Sequence, residues 1–324
     1  MPVRRRAIAV AVLVGLVLSG CSALGLGADD PVAAPRPDGT PPRCHGVAYD
    51  DVRGRAADLM RPPLQEHPVQ AAVCAAYWIP QVDRDFVPQA LAVDGSRIFV
   101  GGYRWERSFG NRNCQIAVLD RRTGRVTAFE DRLSLPDGDF CRHGGGLELD
   151  DAGLWVLETG RLWLLDPDRI GRGGSLRHVW RLPRGVRGST LVVHGDRIGV
   201  GGYRPHKGSR LWWFDRSRTL ASDVMPTPKA GGALPSRLQG IGAGPGGVWL
   251  NRSGTHCAEL RTPEGRRLAF VPGSEDVDFR GRDIWTVSES ATQGYLDPHE
   301  LVVPQVLQLD RSQVERAPRA DCDF

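Results

Sequence analysis

Lysine is almost missing from this chain of 324 residues: Lys207 and Lys229 stand alone among 42 basic residues, and the rest are arginine. A large excess of either charge is missing too, since 38 acidic residues leave a formal net charge of only +4. A balance that close gives no general electrostatic reason to expect nucleic acid or an anionic lipid surface as a partner. No two cysteines stand as Cys-x-x-Cys and no histidine lies at ligand spacing from a second cysteine, which removes the usual structural zinc motifs. A Gly-x-Ser-x-Gly string is absent, and with it the nucleophile elbow of an α/β-hydrolase. Beyond the N-terminal leader no segment keeps a 3.6-residue apolar period over three turns, and 40 glycines and 24 prolines punctuate the chain, which argues against a helical protein.

What is present at the N-terminus reads as an address. Arg4, Arg5 and Arg6 form a positive region, and the uncharged stretch from Ala7 to Leu18 is too short to span a bilayer but suits the apolar part of a signal peptide. Leu18-Ser19-Gly20-Cys21 follows, and it resembles the lipobox of bacterial lipoproteins. The resemblance implies cleavage before Cys21 and lipidation of its thiol, which would hold the protein to the cell membrane on the extracytoplasmic side. An ordinary secretory leader with a coincidental cysteine is the alternative. Residues 21–43, rich in Gly, Ala, Pro and Asp, then read as a flexible tether, and 44–324 as the folded domain. Loss of the leader leaves 39 basic against 38 acidic residues. The arginine bias and the export signal together resemble actinobacterial secreted proteins.

The folded part repeats. Ile116–Asp120, Leu162–Asp166, Leu211–Asp215, Cys257–Arg261 and Val306–Asp310 are short apolar runs, each closing on a polar turn, and their closing residues are 46, 49, 46 and 49 apart. Before each run stands a hairpin pattern, best seen in the near-identical copies Leu91–Tyr103 and Leu191–Tyr203. After it comes an outer run: Val126–Phe129, His178–Leu182, Leu220–Met225 and Arg267–Val271. Four strands in about 47 residues are the blade of a β-propeller, and the repeat resembles those of YVTN/NHL-like propellers. Five inner motifs but four outer strands predict five blades, with the fifth completed by Val73–Pro80 from the N-terminal side so that the ring has no open seam. Six blades, with residues 44–88 forming most of one, is the alternative. The blade map also pairs the six remaining cysteines: Cys44 with Cys74, Cys114 with Cys141, and Cys257 with Cys322. The nine tryptophans fall mostly on strands, Trp155, Trp163, Trp212, Trp249 and Trp285 among them, as expected for packing between blades.

Aligning the repeats places Gln89, Gly145, Ser189, Gln239 and Glu275 at one equivalent position, where each inner strand starts beside the axis. Asp276 and His143 flank that ring, and Glu289 ends the second strand of the last blade. Two readings stay open for these groups: caps of sheet ends and partners of channel water, or a ligand site. Glu275, Asp276 and Glu289 are the candidates for acid and base work or for oxygen ligation of a hard cation such as Ca²⁺. The Cys141–Gly146 segment contains His-Gly-Gly-Gly, whose glycines suit a backbone crowded near the axis. Loops on the same rim add Arg104–Asn113, Arg204–Lys207, Arg252–His256 and Ser290–Val302, the last with Tyr295 and His299. The functional expectation is a surface protein that binds a small molecule or a protein partner through this rim. The alternative is a hydrolase or lyase acting on extracellular sugars or lactones. No residue pattern names a cofactor or a metal.

Overall fold

The computed structural model describes residues 42–106, 113–290, 292 and 302–324. Cys21, the segment 107–112, Tyr295 and His299 lie outside the described residues.

Five four-stranded antiparallel sheets make a five-bladed propeller. Blade 1 is β2 (Phe86–Val93), β3 (Arg97–Arg104), β4 (Cys114–Asp120) and β5 (Val126–Glu130). Blade 2 is β6 (Gly146–Leu149), β7 (Leu154–Leu157), β8 (Arg161–Leu165) and β9 (Leu176–Arg181). Blade 3 holds β10 (Thr190–Val193), β11 (Arg197–Gly201), β12 (Ser209–Asp215) and β13 (Lys229–Leu234), and blade 4 holds β14 (Leu238–Gly244), β15 (Gly247–Gly254), β16 (Cys257–Arg261) and β17 (Arg267–Ala269). Blade 5 runs β18 (Ser274–Arg280), β19 (Asp283–Ser288) and β20 (Val306–Asp310), and its outer strand is β1 (Val73–Tyr77), antiparallel to β20 with Tyr77 opposite Val306. The N-terminal strand therefore closes the ring, and the six-bladed alternative is set aside.

The repeated Asp has a local reason. Asp120 accepts the Thr123 amide at 2.8 Å, Asp166 that of Asp168 at 3.0 Å, Asp215 that of Arg218 at 2.8 Å and Asp310 that of Gln313 at 3.0 Å. Each carboxylate satisfies an amide that the end of the third strand would leave bare, and two of them start short helices, α1 (Arg216–Leu220) and α2 (Arg311–Val314). In blade 3 that helix corrects an expectation. The run Leu220–Met225 is not the outer strand, because the cap on Asp215 turns the chain helical first. The strand forms later, at Lys229–Leu234, and Met225 instead packs into the core between blades 2 and 3.

Side chains alternate along each strand, and in a blade both faces meet a neighbour. In blade 2, Leu154, Val156, Trp163 and Leu165 pack on Phe99, Ile116 and Val118 of blade 1, while Trp155, Leu157, Leu162 and Leu164 pack on Leu191, Ile198, Val200 and Phe214 of blade 3. That is why the runs are continuously apolar. Trp155, Trp163, Trp249 and Trp285 are buried as expected, but Trp212 is only partly so and faces the upper cavity.

Near the axis the inner strands follow one another in the order β2, β6, β10, β14, β18 and back to β2. They belong to different sheets, so part of their edge is satisfied by side chains. Asp276 and Asp278, two apart on β18, accept the amides of Leu91 and Val93, two apart on β2, at 3.1 and 3.0 Å. Glu148 on β6 accepts the Val193 amide on β10 at 3.2 Å. Carboxylates here do what a ladder partner would do in a continuous sheet.

The three disulfides are Cys44–Cys74, Cys114–Cys141 and Cys257–Cys322. Cys44 sits at the lower rim, where its backbone exchanges two hydrogen bonds with the Gln313 amide, at 3.1 and 3.0 Å. Arg43 beside it pairs with Asp283 and, at 2.7 Å, with Asp310. The C-terminal tail crosses to blade 4: Ala269 donates to the Pro318 carbonyl at 2.8 Å, Cys322 joins Cys257, and the Arg252 guanidinium lies 4.3 Å from the Phe324 ring centre.

Candidate functional site

Three of the five aligned ring positions share a backbone feature. Pairing between the first and second strands slips between Pro88 and Ala90, between Leu238 and Gly240, and between Ser274 and Asp276. The extra residues are Gln89, Gln239 and Glu275. A bulge re-aims the side chain it carries, and here it turns one residue of an otherwise apolar strand toward the rim. In blades 2 and 3 the equivalent residues, Gly145 and Ser189, stand just before their strands. A Cβ on Gly145 would come within 2.7 Å of the His143 ring and of the Ser189 carbonyl, so the imidazole fills the space that a side chain at 145 would need.

The bulged residues meet an acid that the alignment placed separately. Glu289, just past the end of β19, accepts the Gln89 side-chain amide at 2.5 Å, and Glu275 accepts that of Gln239 at 2.9 Å. Glu275 and Glu289 are hydrogen-bonded to each other, so a row Gln89, Glu289, Glu275, Gln239 crosses the floor from blade 1 through blade 5 to blade 4. Burial pushes the Glu289 carboxyl up to about 7, against the pull of its bonds to Gln89 and Glu275. Burial also raises Glu275 well above the usual carboxylate range, and the charge of Glu289 adds to it. The pair holds a shared proton near neutrality, because two bare carboxylates in contact without a cation are strongly disfavoured.

Above this floor opens a cavity of about 1240 Å³, lined in part by Gln89, His143, Ser189, Gln239, Glu289 and Arg204. His143 stacks on Tyr103, with ring centres 5.2 Å apart. Glu275 lies beneath the lining, 2% exposed. Asp276 is not brought to the cavity. It faces β2 along the axis, and burial raises its carboxyl well above the ordinary range. Among the described residues no group of three or more His, Cys, Asp or Glu side chains is arranged to hold a metal ion.

The wall is polarised in a way the sequence did not disclose. Arg142, Arg187, Arg204, Arg210 and Arg237 all line it, and all come from blades 2 to 4 or the segments leading into them. Arg142 acts on the Asp139 carboxylate, while no ion pair joins Arg187, Arg204, Arg210 or Arg237 to a carboxylate among the described residues. Arg237 is held at φ 53, the left-handed region, by bonds from its amide to the Arg204 carbonyl at 2.8 Å and from the Ser253 amide to its own carbonyl at 3.2 Å. A non-glycine residue pinned there is backbone strain at the mouth of a cavity, where strain is commonly kept for a function. Its Nε is buried and has no hydrogen-bond partner among the described residues. In sequence these arginines are spread over 96 positions and form no patch; only the curvature of the ring gathers them.

No family model matches the chain, and no curated protein does. Among solved structures it is similar to a glucose dehydrogenase at 12% identity and a TM-score of 0.37, over 79% of this chain and 86% of that one. A chain of a nidogen/laminin complex is similar at 13% identity and 0.36, over 63% and 72%. A protein of unknown function from Bacteroides caccae is similar at 10% and 0.39, over 73% and 82%. Likeness this distant carries no chemistry across, and the assignment of this chain as a five-bladed β-propeller rests on its own sheets.

Proposed function

We propose that this chain is an extracytoplasmic binding protein, held to the membrane by lipid on Cys21 and a tether over residues 21–43, that takes its ligand into the upper cavity of the propeller. The carrying observation is the cavity itself, a volume of about 1240 Å³ with converging amide, acid and guanidinium groups. Two features support the rest. The three disulfides suit a compartment outside the cytosol. Arg43 and Cys44 fasten to the lower rim, opposite the cavity mouth, so a tether ending there leaves the mouth free.

A thermal-shift screen of the mature domain against sugars, metals and cell-wall fragments tests the binding reading. A ligand at a hundred times its dissociation constant stabilises by about 2.7 kcal/mol. A hit that disappears in Gln239→Ala supports the cavity as its site; hits that ignore that change count against it. Cys21→Ala tests the anchor, with the protein expected to move from the membrane fraction to the soluble one.

A second reading has one observation in its favour. Glu289, pushed to about 7, exchanges a proton readily at neutral pH and can give it to a bound group, as a hydrolase or lyase of extracellular sugars or lactones would require. The contact between Glu275 and Glu289 is closer than the roughly 5–5.5 Å between the carboxyls of a retaining glycosidase. Turnover of a sugar or lactone substrate that survives Glu289→Gln would remove this reading.

A further inference from the structure

Resting on the binding reading above, we propose that the ligand class of the upper cavity is an anionic sugar, a polyhydroxylated molecule carrying a carboxylate or a phosphate. The division of the wall carries this. One side, from blades 2 to 4, offers five guanidinium groups, and four of them, those of Arg187, Arg204, Arg210 and Arg237, have no carboxylate partner among the described residues. Guanidinium presents forked N–H donors that match carboxylate and phosphate oxygens, and like charges gathered on one wall repel until an anion arrives. Arg237 gives the strongest single indication, because it lines the cavity and its buried Nε lacks a partner among the described residues.

The floor, from blades 4, 5 and 1, has the opposite chemistry. Gln89 and Gln239 each commit an amide N–H to an acid, and the shared proton of Glu275 and Glu289 lowers the charge between them. The free oxygens of Gln89, Gln239 and Glu289, which line the cavity, accept hydroxyl protons, and acceptors on the floor facing guanidinium donors on the wall suit a polyol that carries an anion. Within the arginine wall itself, on blade 3, stand Tyr203, 40% exposed, a flat surface for the apolar face of a sugar ring, and Trp212, with Arg210 5.7 Å from its ring centre. Tyr103, the repeat equivalent of Tyr203, is covered by His143, so the open ring of Tyr203 is not imposed by the repeat.

The test is calorimetric titration of the mature domain at pH 7 and low salt with glucuronate, glucose 6-phosphate, glucose and inorganic phosphate, on wild type, Arg204→Gln and Arg237→Asn. Asn tolerates the left-handed region, and Arg204 is exposed, so neither variant puts the fold at stake. Circular dichroism checks that both fold. One of the two charged sugars is expected to bind, glucose to bind at least tenfold more weakly, and each variant to weaken the charged sugar about tenfold or more, the value of one charge-assisted bond. Which charged sugar binds separates carboxylate from phosphate. Binding of neither, equal binding of glucose, inorganic phosphate as tight as its sugar ester, or indifference to both substitutions overturns the proposal. A neutral cell-wall fragment or a protein that binds wild type and is lost in Gln239→Ala would overturn the anionic sugar while leaving the binding reading intact.

Discussion

Glu275 and Glu289 lie in hydrogen-bonding contact at the floor of the cavity, each clamped from outside by a glutamine of a neighbouring blade. The contact makes the fold itself sensitive to pH. Both groups titrate higher in the folded chain than in the unfolded one, so the stability they contribute is fully present below the unfolded value near 4.5 and is lost as pH rises through the folded value, about 7 for Glu289.

Glu289→Gln is therefore expected to be more stable than wild type at pH 8 and to lose that advantage at pH 5. The Glu289 shift alone corresponds to about 3 kcal/mol, which for a domain of this size is several degrees of melting temperature. The difference between variant and wild type is the quantity to measure. His67, buried and lowered to about 4, pulls the other way: its contribution is present above the unfolded value of 6.5 and is lost as pH falls. Equal melting temperatures at pH 8 would mean that folding does not raise the Glu289 carboxyl.

A second acid behaves in the reverse sense. Glu259, fully buried on β16, is met by Arg261 at 2.8 Å, Arg267 at 2.5 Å and Arg252 at 3.5 Å. Burial works against its charge, and the hydrogen bonds of Arg267 and Arg261 outweigh it, so its carboxyl lies below the ordinary range. Its contribution is present above the unfolded value and fades as pH falls through the folded one. Glu259→Gln strands three guanidinium groups and should cost about 3–5 kcal/mol in urea unfolding at pH 7, with a smaller cost at pH 3.

The repeat was readable because its marks are chemical. Asp120, Asp166, Asp215 and Asp310 must stand where a third strand ends, since each caps the turn that follows. The same alignment brought Gln89, Gln239 and Glu275 to one position. The row they form with Glu289 was not readable, because it runs from Gln239 to Glu275, 36 residues on, and from Glu289 back to Gln89, 200 residues away, a neighbourhood that exists only once the ring is closed. The arginine wall was hidden for the same reason. Strand β13 was missed because Lys229-Ala-Gly-Gly-Ala-Leu234 is a largely exposed outer strand with little apolar alternation, whereas the more apolar Leu220–Met225 competes for the eye.

The tail offers a local test. Cys257–Cys322 closes 65 residues and, with the Ala269 to Pro318 bond and the stacking of Arg252 on Phe324, holds the C-terminus on blade 4. Replacing both cysteines by alanine should cost about 4 kcal/mol by loop entropy if unfolding is global. If only the tail peels away, limited proteolysis after Arg319 should accelerate with little change in melting temperature. Protection of Arg319 equal to wild type would mean that the tail is held without the bridge.

Asp276 separates a structural acid from a ligand acid. Its carboxylate accepts the Leu91 amide at 3.1 Å and the Val277 amide at 2.9 Å, bridging the inner strands of blades 5 and 1. Burial raises it well above the ordinary range, with Glu148 nearby adding to the effect, so the fold favours its neutral form, which still accepts both amides. Asparagine keeps an acceptor oxygen of the same reach and cannot ionise. Asp276→Asn should therefore match or exceed wild-type stability at pH 8, where the acid is costly to keep protonated. Asp276→Ala should lose about 1–3 kcal/mol, because the Leu91 amide is then buried without a partner. A cation held by Asp276 would reverse the order: asparagine would be as damaging as alanine, and the loss would appear only when Ca²⁺ is supplied. Urea unfolding of the two variants with and without Ca²⁺ decides between an acid that fastens blade to blade and one that holds a ligand.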